Sequence, residues 1–224
     1  MKVTTDACLF GSSLPLPPSK GGGNVNVLDI GTGTGLLALM YAQKNPGAII
    51  DAIEIDKDAA EQAKENVERS PWGKRINVIN ADAKRFSFTK KYDLIISNPP
   101  FYEKELKSPD VQRNIARHSE ELSLPELLHI IKANLAHDGQ LFILLPNKRM
   151  NEAGILFKKH FLELTHATIV RQSVLHDAFR IIIKGKHRRN VDEDLKKDEI
   201  AIWDEQQQYS PELIELLKDF YLNL

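Results

Sequence analysis

The chain has 224 residues, of which 42% are apolar and 27% charged, and its formal net charge is −1. That suffices for one sizeable core and excludes a protein that holds nucleic acid by a blanket of positive charge; any such binding needs a local patch. The single cysteine, Cys8, excludes an internal disulfide and a multi-cysteine zinc site. No apolar run reaches a membrane span, and only Lys2 precedes the short apolar patch at the start, so no secretory signal is read and a cytoplasmic protein is expected.

In chain order, residues 15–24 (PLPPSKGGGN) read as a Pro/Gly linker. NVNVLDI (24–30) reads as a buried strand that runs into a glycine-rich turn, and GLLALMYAQK (35–44) as a helix closed by Asn45-Pro46-Gly47. AIIDAIEI (48–55) is the second strand. DKDAAEQAKENVERS (56–70) is a helix that Asp56 can cap. RINVINAD (75–82) and YDLIISN (92–98) are the third and fourth strands. SLPELLHIIKANLA (123–136) is a helix with Pro125 in its first turn, followed by the strand GQLFILLP (139–146) and the helix KRMNEAGILFKKHF (148–161). LTHATIVRQS (164–173) and AFRIIIKGK (178–186) are two late strands with no helix between them.

Apolar strands alternating with helices imply a parallel sheet with helices on both faces, and the closing hairpin adds an antiparallel last strand. The expected fold is therefore α/β: a Rossmann-like, doubly wound, mixed seven-stranded sheet. Residues 1–186 would form this domain. Residues 187–224 would be a charged extension ending in an amphipathic helix, whose apolar spacing at Leu213, Leu216, Leu217 and Phe220 favours docking on the same domain.

The turn LDIGTGTGLL places Asp29, Gly31, Gly33 and Gly35 between a strand and a helix. Glycines there allow a tight bend and a close approach to a ligand beyond the carboxyl ends of the strands. Glu54, 23 residues after Gly31 at the end of the second strand, is placed to accept two ribose hydroxyls. The G-x-G-x-G spacing differs from the dinucleotide G-x-G-x-x-G. Asp82, after the third strand, could meet an adenine amino group, or simply cap a turn. The fourth strand must stop at about Asn98, because Pro99 and Pro100 cannot donate to a ladder. Beside a cofactor turn, the Asn98 side-chain oxygen and the Pro99 carbonyl would be paired acceptors for a planar amine, with Phe101 as a stacking plate. Positioning would then supply most of the rate.

Together, DIGTGTG, Glu54, Asp82 and NPPF resemble the class I S-adenosylmethionine-dependent methyltransferases, in which N-P-P-[YF] marks methylation of a planar nitrogen: adenine N6, guanine N2 or a glutamine amide. MKVTTDACLFGS (1–12) and RNIARHSEELSLPELL (113–128) are similar to segments of the bacterial tRNA1(Val) adenine-N6-methyltransferase family, over about residues 1–185. That resemblance implies methylation of the adenosine 3′ to the anticodon, position 37, of valine tRNA. It implies S-adenosylmethionine bordered by Asp29, Gly31, Gly33 and Gly35, its ribose on Glu54, its adenine on Asp82 and Ala83, and closure by Lys2, Thr5 and Asp6. Asn98, Pro99, Pro100 and Phe101 would hold the target base.

The family has a further segment before M-K-V, so the chain reads as a truncated or late-start form. Phe101 stands where Tyr is usual, which keeps guanine-N2 and protein-glutamine methylation as alternatives. A nucleotide-binding oxidoreductase or a non-catalytic binding module is the different class, disfavoured by the glycine spacing. An anticodon loop would meet Tyr102, Lys104, Lys107, Arg113 and Arg117 in the loop after the motif, with Lys148-Arg149 and Lys186-His187-Arg188-Arg189 as further cations. The seven histidines form no metal-ligand spacing, so no metal is expected, nor any membrane contact. The state expected is a monomer or weak homodimer.

Overall fold

The computed structural model describes residues 4–15, 24–99, 122–189 and 194–222. One sheet of eight strands runs through it: β1 (Val25–Ile30), β2 (Ala48–Glu54), β3 (Ile76–Asn80), β4 (Tyr92–Ser97), β5 (Leu135–Pro146), β6 (Leu162–Ser173), β7 (Ala178–His187) and β8 (Lys196–Trp203). Their order across the sheet is β3-β2-β1-β4-β5-β7-β6-β8. The helices among the described residues are α1 (Thr5–Ser13), α2 (Leu36–Lys44), α3 (Lys57–Glu68), α4 (Leu124–Asn134), α5 (Met150–Lys159) and α6 (Pro211–Leu217).

The sheet runs parallel from β3 to β5, and only β7 opposes its neighbours. The sequence leads to seven strands with the hairpin at an edge. The structure differs in two ways. β7 enters between β5 and β6, and β8 then pairs parallel with β6, so the hairpin is interior. β8 is KKDEIAIW, whose charged first half reads as tail. Exposed charge of that kind is typical of an edge strand, where it discourages pairing with another chain.

Two apolar layers flank the sheet. On one side α1, α2 and α6 cover Val27, Ile50, Leu94, Ile96, Leu144, Ile182 and Ile200. On the other, α4 and α5 cover Leu28, Ile53, Ile95, Leu141, Ile143 and Ile183. The helices begin where the sequence signals them. The Asp56 carboxylate caps α3 by accepting the Ala59 N–H (2.7 Å), Ser123 and Glu126 form a reciprocal capping box on α4, and Ser210 caps α6 ahead of Pro211.

α1 has no strong local helix signal; packing makes it. Phe10 and Leu9 are fully buried, and a Cβ on Gly11 would stand 2.6 Å from Met40 Sδ, so glycine lets α1 lie close on α2. α6 packs on the other side of α1 through Leu213 and Leu217, with Leu216, Phe220 and Tyr221 at its margin. Lys44 Nζ donates to the Ser12 and Leu14 carbonyls, closing the end of α1 (2.9 and 3.1 Å).

Candidate active site

The sheet reverses its winding between β1 and β4, and crevices at such a point bind ligands beyond the strand ends. Register brings the expected residues there. Ile30 lies opposite Ile53 of β2 and Ser97 of β4, while Glu54 lies opposite Asn80 of β3. Gly31, Glu54, Asp82 and Asn98 therefore follow four adjacent strands at one edge.

The glycine turn is shaped by backbone geometry. Gly31, Gly33 and Gly35 all have left-handed φ, of 72°, 58° and 86°. Among the described residues, a Cβ built on Gly31 meets nothing within 4 Å, so the chain passes beside open space there. One on Gly35 would touch Ala63 of α3 at 3.5 Å, which is helix packing rather than a ligand approach.

Glu54 is buried under this turn. Its Oε2 accepts the Gly33 N–H (2.8 Å) and its Oε1 the Asp56 N–H (2.9 Å), so the carboxylate braces the loop. Each oxygen keeps a further lone pair for an incoming hydroxyl. Asp29 is fully buried. Its Oδ2 accepts the Thr32 hydroxyl at 2.6 Å, and its Oδ1 has no hydrogen-bond partner among the described residues. Burial pushes the Asp29 carboxyl up to about 7. The Thr32 hydroxyl and the Ala38 amide work against this, and the nearby Glu54 charge adds to it. An orphaned carboxylate oxygen and open space over Gly31 fit a ligand that brings a cationic or hydrogen-donating group to the turn.

Asp82 accepts the Lys84 N–H through Oδ1 (2.9 Å) and stands 3.6 Å from Arg85 Nε, so it organises the turn after β3; Ala83 beside it is half-buried. Asp6 lies in the first turn of α1. Its Oδ1 accepts the Ala7 N–H and its Oδ2 the Arg180 Nε–H at 2.9 Å, while Thr5 is half-buried beside it. Asn98 is half-buried and Pro99 buried at the end of β4. The strand end is pinned by the Ser97 hydroxyl, which donates to the Ile30 carbonyl at 2.8 Å. Lys2, Pro100, Phe101, Tyr102, Lys104, Lys107, Arg113 and Arg117 lie outside the described residues.

Several contributors are absent from the motif-based reading. Thr32 and Ser97 sit inside the quoted motifs but read as spacers. Asn80 Nδ2 donates to the Glu54 carbonyl and Asn66 Nδ2 to the Thr34 carbonyl, fixing both flanks of the turn. Arg180 lies 174 residues from Asp6, and no local signal could pair them. Among the described residues no three His, Cys, Asp or Glu side chains are grouped as metal ligands, and no helix is long and apolar enough to cross a membrane.

Comparison with known proteins follows the same line. Residues 10–172 match the model of the methyltransferase small domain family. The chain is 37% identical to a tRNA1(Val) (adenine(37)-N6)-methyltransferase of Flavobacterium johnsoniae, over all of this chain and 94% of that one. It is 34% identical to a protein of the same name from Aliivibrio salmonicida, over all of this chain and 92% of that one. Among solved structures, a predicted O-methyltransferase from Agrobacterium tumefaciens superposes with a TM-score of 0.69 at 15% identity, covering 95% of each chain. A glycopeptide N-methyltransferase complexed with S-adenosylmethionine gives 0.54 at 9% identity, over 75% of this chain and 89% of that one. These structural likenesses carry the fold.

Proposed function

We propose that this chain, which belongs to the tRNA1(Val) (adenine(37)-N6)-methyltransferase family, methylates N6 of the adenosine 3′ to the anticodon of valine tRNA, with S-adenosylmethionine as the methyl donor. The observation that carries the reading is the bond from Ser97 Oγ to the Ile30 carbonyl, which locks the start of Asn98-Pro99 against the start of the glycine turn. A target-base holder and a cofactor turn thus share one edge of the sheet at its switch point.

The residues present fit the cofactor. Gly31 leaves room for it, Glu54 keeps lone pairs for ribose hydroxyls, Asp29 Oδ1 lacks a partner among the described residues, and Asp82 and Ala83, in the turn after β3, would border its adenine. Bound S-adenosylmethionine supplies an electrophilic methyl group on a sulfonium. Asn98 Oδ1 and the Pro99 carbonyl each accept one N6 hydrogen of the adenine. That grip turns the nitrogen lone pair out of the plane of the base and holds it in line for transfer. Both acceptors are neutral and draw no proton beforehand; the surplus proton leaves to water afterwards. Catalysis is then chiefly orientation. A loop nucleotide is already nearly unpaired, so extruding it costs less than opening a duplex.

The test uses labelled S-adenosylmethionine and unmodified valine tRNA, with digestion to nucleosides. N6-methyladenosine is expected, and none from a tRNA carrying guanosine at position 37. Appearance of N2-methylguanosine, label confined to protein, or binding of NAD in place of S-adenosylmethionine in a calorimetric titration overturns the reading.

A further inference from the structure

We propose that Arg180 binds a phosphate of the RNA strand flanking the target nucleotide, with Asp6 fixing its orientation. The inference rests on the RNA-methylating reading above and adds to it the place where the RNA backbone is held.

Arg180 lies near the start of β7, opposite Pro146 at the carboxyl end of β5 and Val170 of β6. Ser97 of β4 is level with Ile143 of β5, which is level with Ile183 of β7. Arg180 therefore stands two strands across from Asn98 and two residues further toward the open edge. With strands about 4.8 Å apart and a rise of about 3.3 Å per residue, the two Cα atoms are about 12 Å apart. Leu94, Ile96 and Ile182 share one apolar layer, and by strand alternation Asn98 and Arg180 continue those rows on the face that α1 covers.

The pairing leaves the useful half of the guanidinium unspent. Arg180 Nε donates to Asp6 Oδ2 at 2.9 Å, and the Phe179 ring lies 5.4 Å from the guanidinium carbon. Neither Nη group has a partner among the described residues. The Arg180 side chain is 36% exposed, against 14% for Asp6. An ion pair this open contributes little to stability. What it does is aim a planar fork. The two Nη groups match two oxygens of a phosphate, and an anchored guanidinium loses less freedom on binding than a loose one. The base itself belongs to Asn98 and Pro99, so a group about 12 Å away meets the backbone of the target nucleotide or its neighbour. The net charge of −1 makes such a local contact necessary, since the whole surface supplies no general attraction.

The test is methylation of unmodified valine tRNA by wild type, Arg180→Gln and Arg180→Lys between about 50 and 200 mM salt. For Arg180→Gln we expect the RNA KM at the lower salt to rise about tenfold. The slope of log affinity against log salt should shrink by about 0.7–0.9, the loss of one phosphate contact. The KM for S-adenosylmethionine should stay within twofold. Arg180→Lys should keep the salt slope and lose affinity, because an ammonium retains the charge and forfeits the fork. A purely structural role would change the melting temperature and leave the salt slope alone. An unchanged slope in Arg180→Gln, with tRNA still methylated, overturns this proposal and spares the adenine-N6 reading. A raised KM for S-adenosylmethionine in place of RNA overturns it too, in favour of a cofactor contact. Failure of the wild type to methylate tRNA overturns the broader reading first. Should Arg180→Gln not fold, Arg180→Lys decides: an undiminished RNA affinity refutes the bidentate contact.

Discussion

Replacing Asp29 by Asn should stabilise the cofactor-free protein at pH 8 and do nothing comparable at pH 5. Asp29 is fully buried, with one oxygen on Thr32 and the other without a partner among the described residues. Its carboxyl titrates at about 7 in the folded protein, against 3.8 for the ordinary group. The sign follows from proton counting. Between about pH 4 and pH 7 the folded protein holds a proton that the unfolded chain has released, so stability falls as pH rises through that window. Three pH units at about 1.4 kcal/mol each set an upper bound of about 4 kcal/mol, and relaxation around the charge brings the expected figure to about 1–3 kcal/mol. Asn keeps the shape and cannot ionise, so the variant should lack this fall, and the difference between the two proteins should grow across the window. Urea unfolding of both proteins at pH 5 and pH 8, without cofactor, gives the comparison. Equal differences at the two pH values, or a variant less stable at pH 8, would refute the reasoning. Calorimetry at pH 8 should also show weaker S-adenosylmethionine binding by the variant, which lacks the charge facing the ligand.

The other predictions concern neighbouring positions. Asn98→Ala should abolish methyl transfer while calorimetric S-adenosylmethionine binding persists; loss of both would mean that Asn98 serves the cofactor turn. Gly31→Ala introduces a side chain at a φ of 72° into empty space, so unfolding should show a cost of about 1–2 kcal/mol while cofactor affinity falls at least tenfold. Gly185→Ala, by contrast, drives a Cβ to 2.5 Å from Phe157 and 2.8 Å from the Glu163 carbonyl; it should cost more in stability, without a specific loss of cofactor binding. Leu217→Ala empties a fully buried position between α6 and α1 and should lower stability by about 2–4 kcal/mol in denaturant titrations.

The parallel half of the sheet was legible because its signals are local. VNVLDI and AIIDAIE are predominantly apolar, as doubly covered strands tend to be, and the Asp56 and Ser123 caps announce their helices within three residues. The positions of Gly31, Glu54 and Asn98 followed from strand ends, and the pairing register places them on one edge. α1 and β8 were not legible, for opposite reasons. α1 contains glycine and three hydroxyl residues and is held by α2 and α6 rather than by its own propensity. β8 has lysines and acids where an interior strand has valine and isoleucine, because one of its sides faces water. The bracing role of Glu54 was also hidden, since its partners are backbone N–H groups that carry no sequence signature.

The contact between α1 and α6 has a consequence for how the chain is made. About 200 residues separate the end of α1 from the start of α6. At roughly 5–20 residues per second, the ribosome needs on the order of 10–40 s to supply the second helix after the first. Throughout that time the side of α1 that α6 packs against lacks its final cover. The segment bearing Asp6 is therefore made well before the helix that completes its cover. Nascent chains stalled before residue 196 should expose α1 to protease, and chains extended until α6 has left the ribosome should protect it.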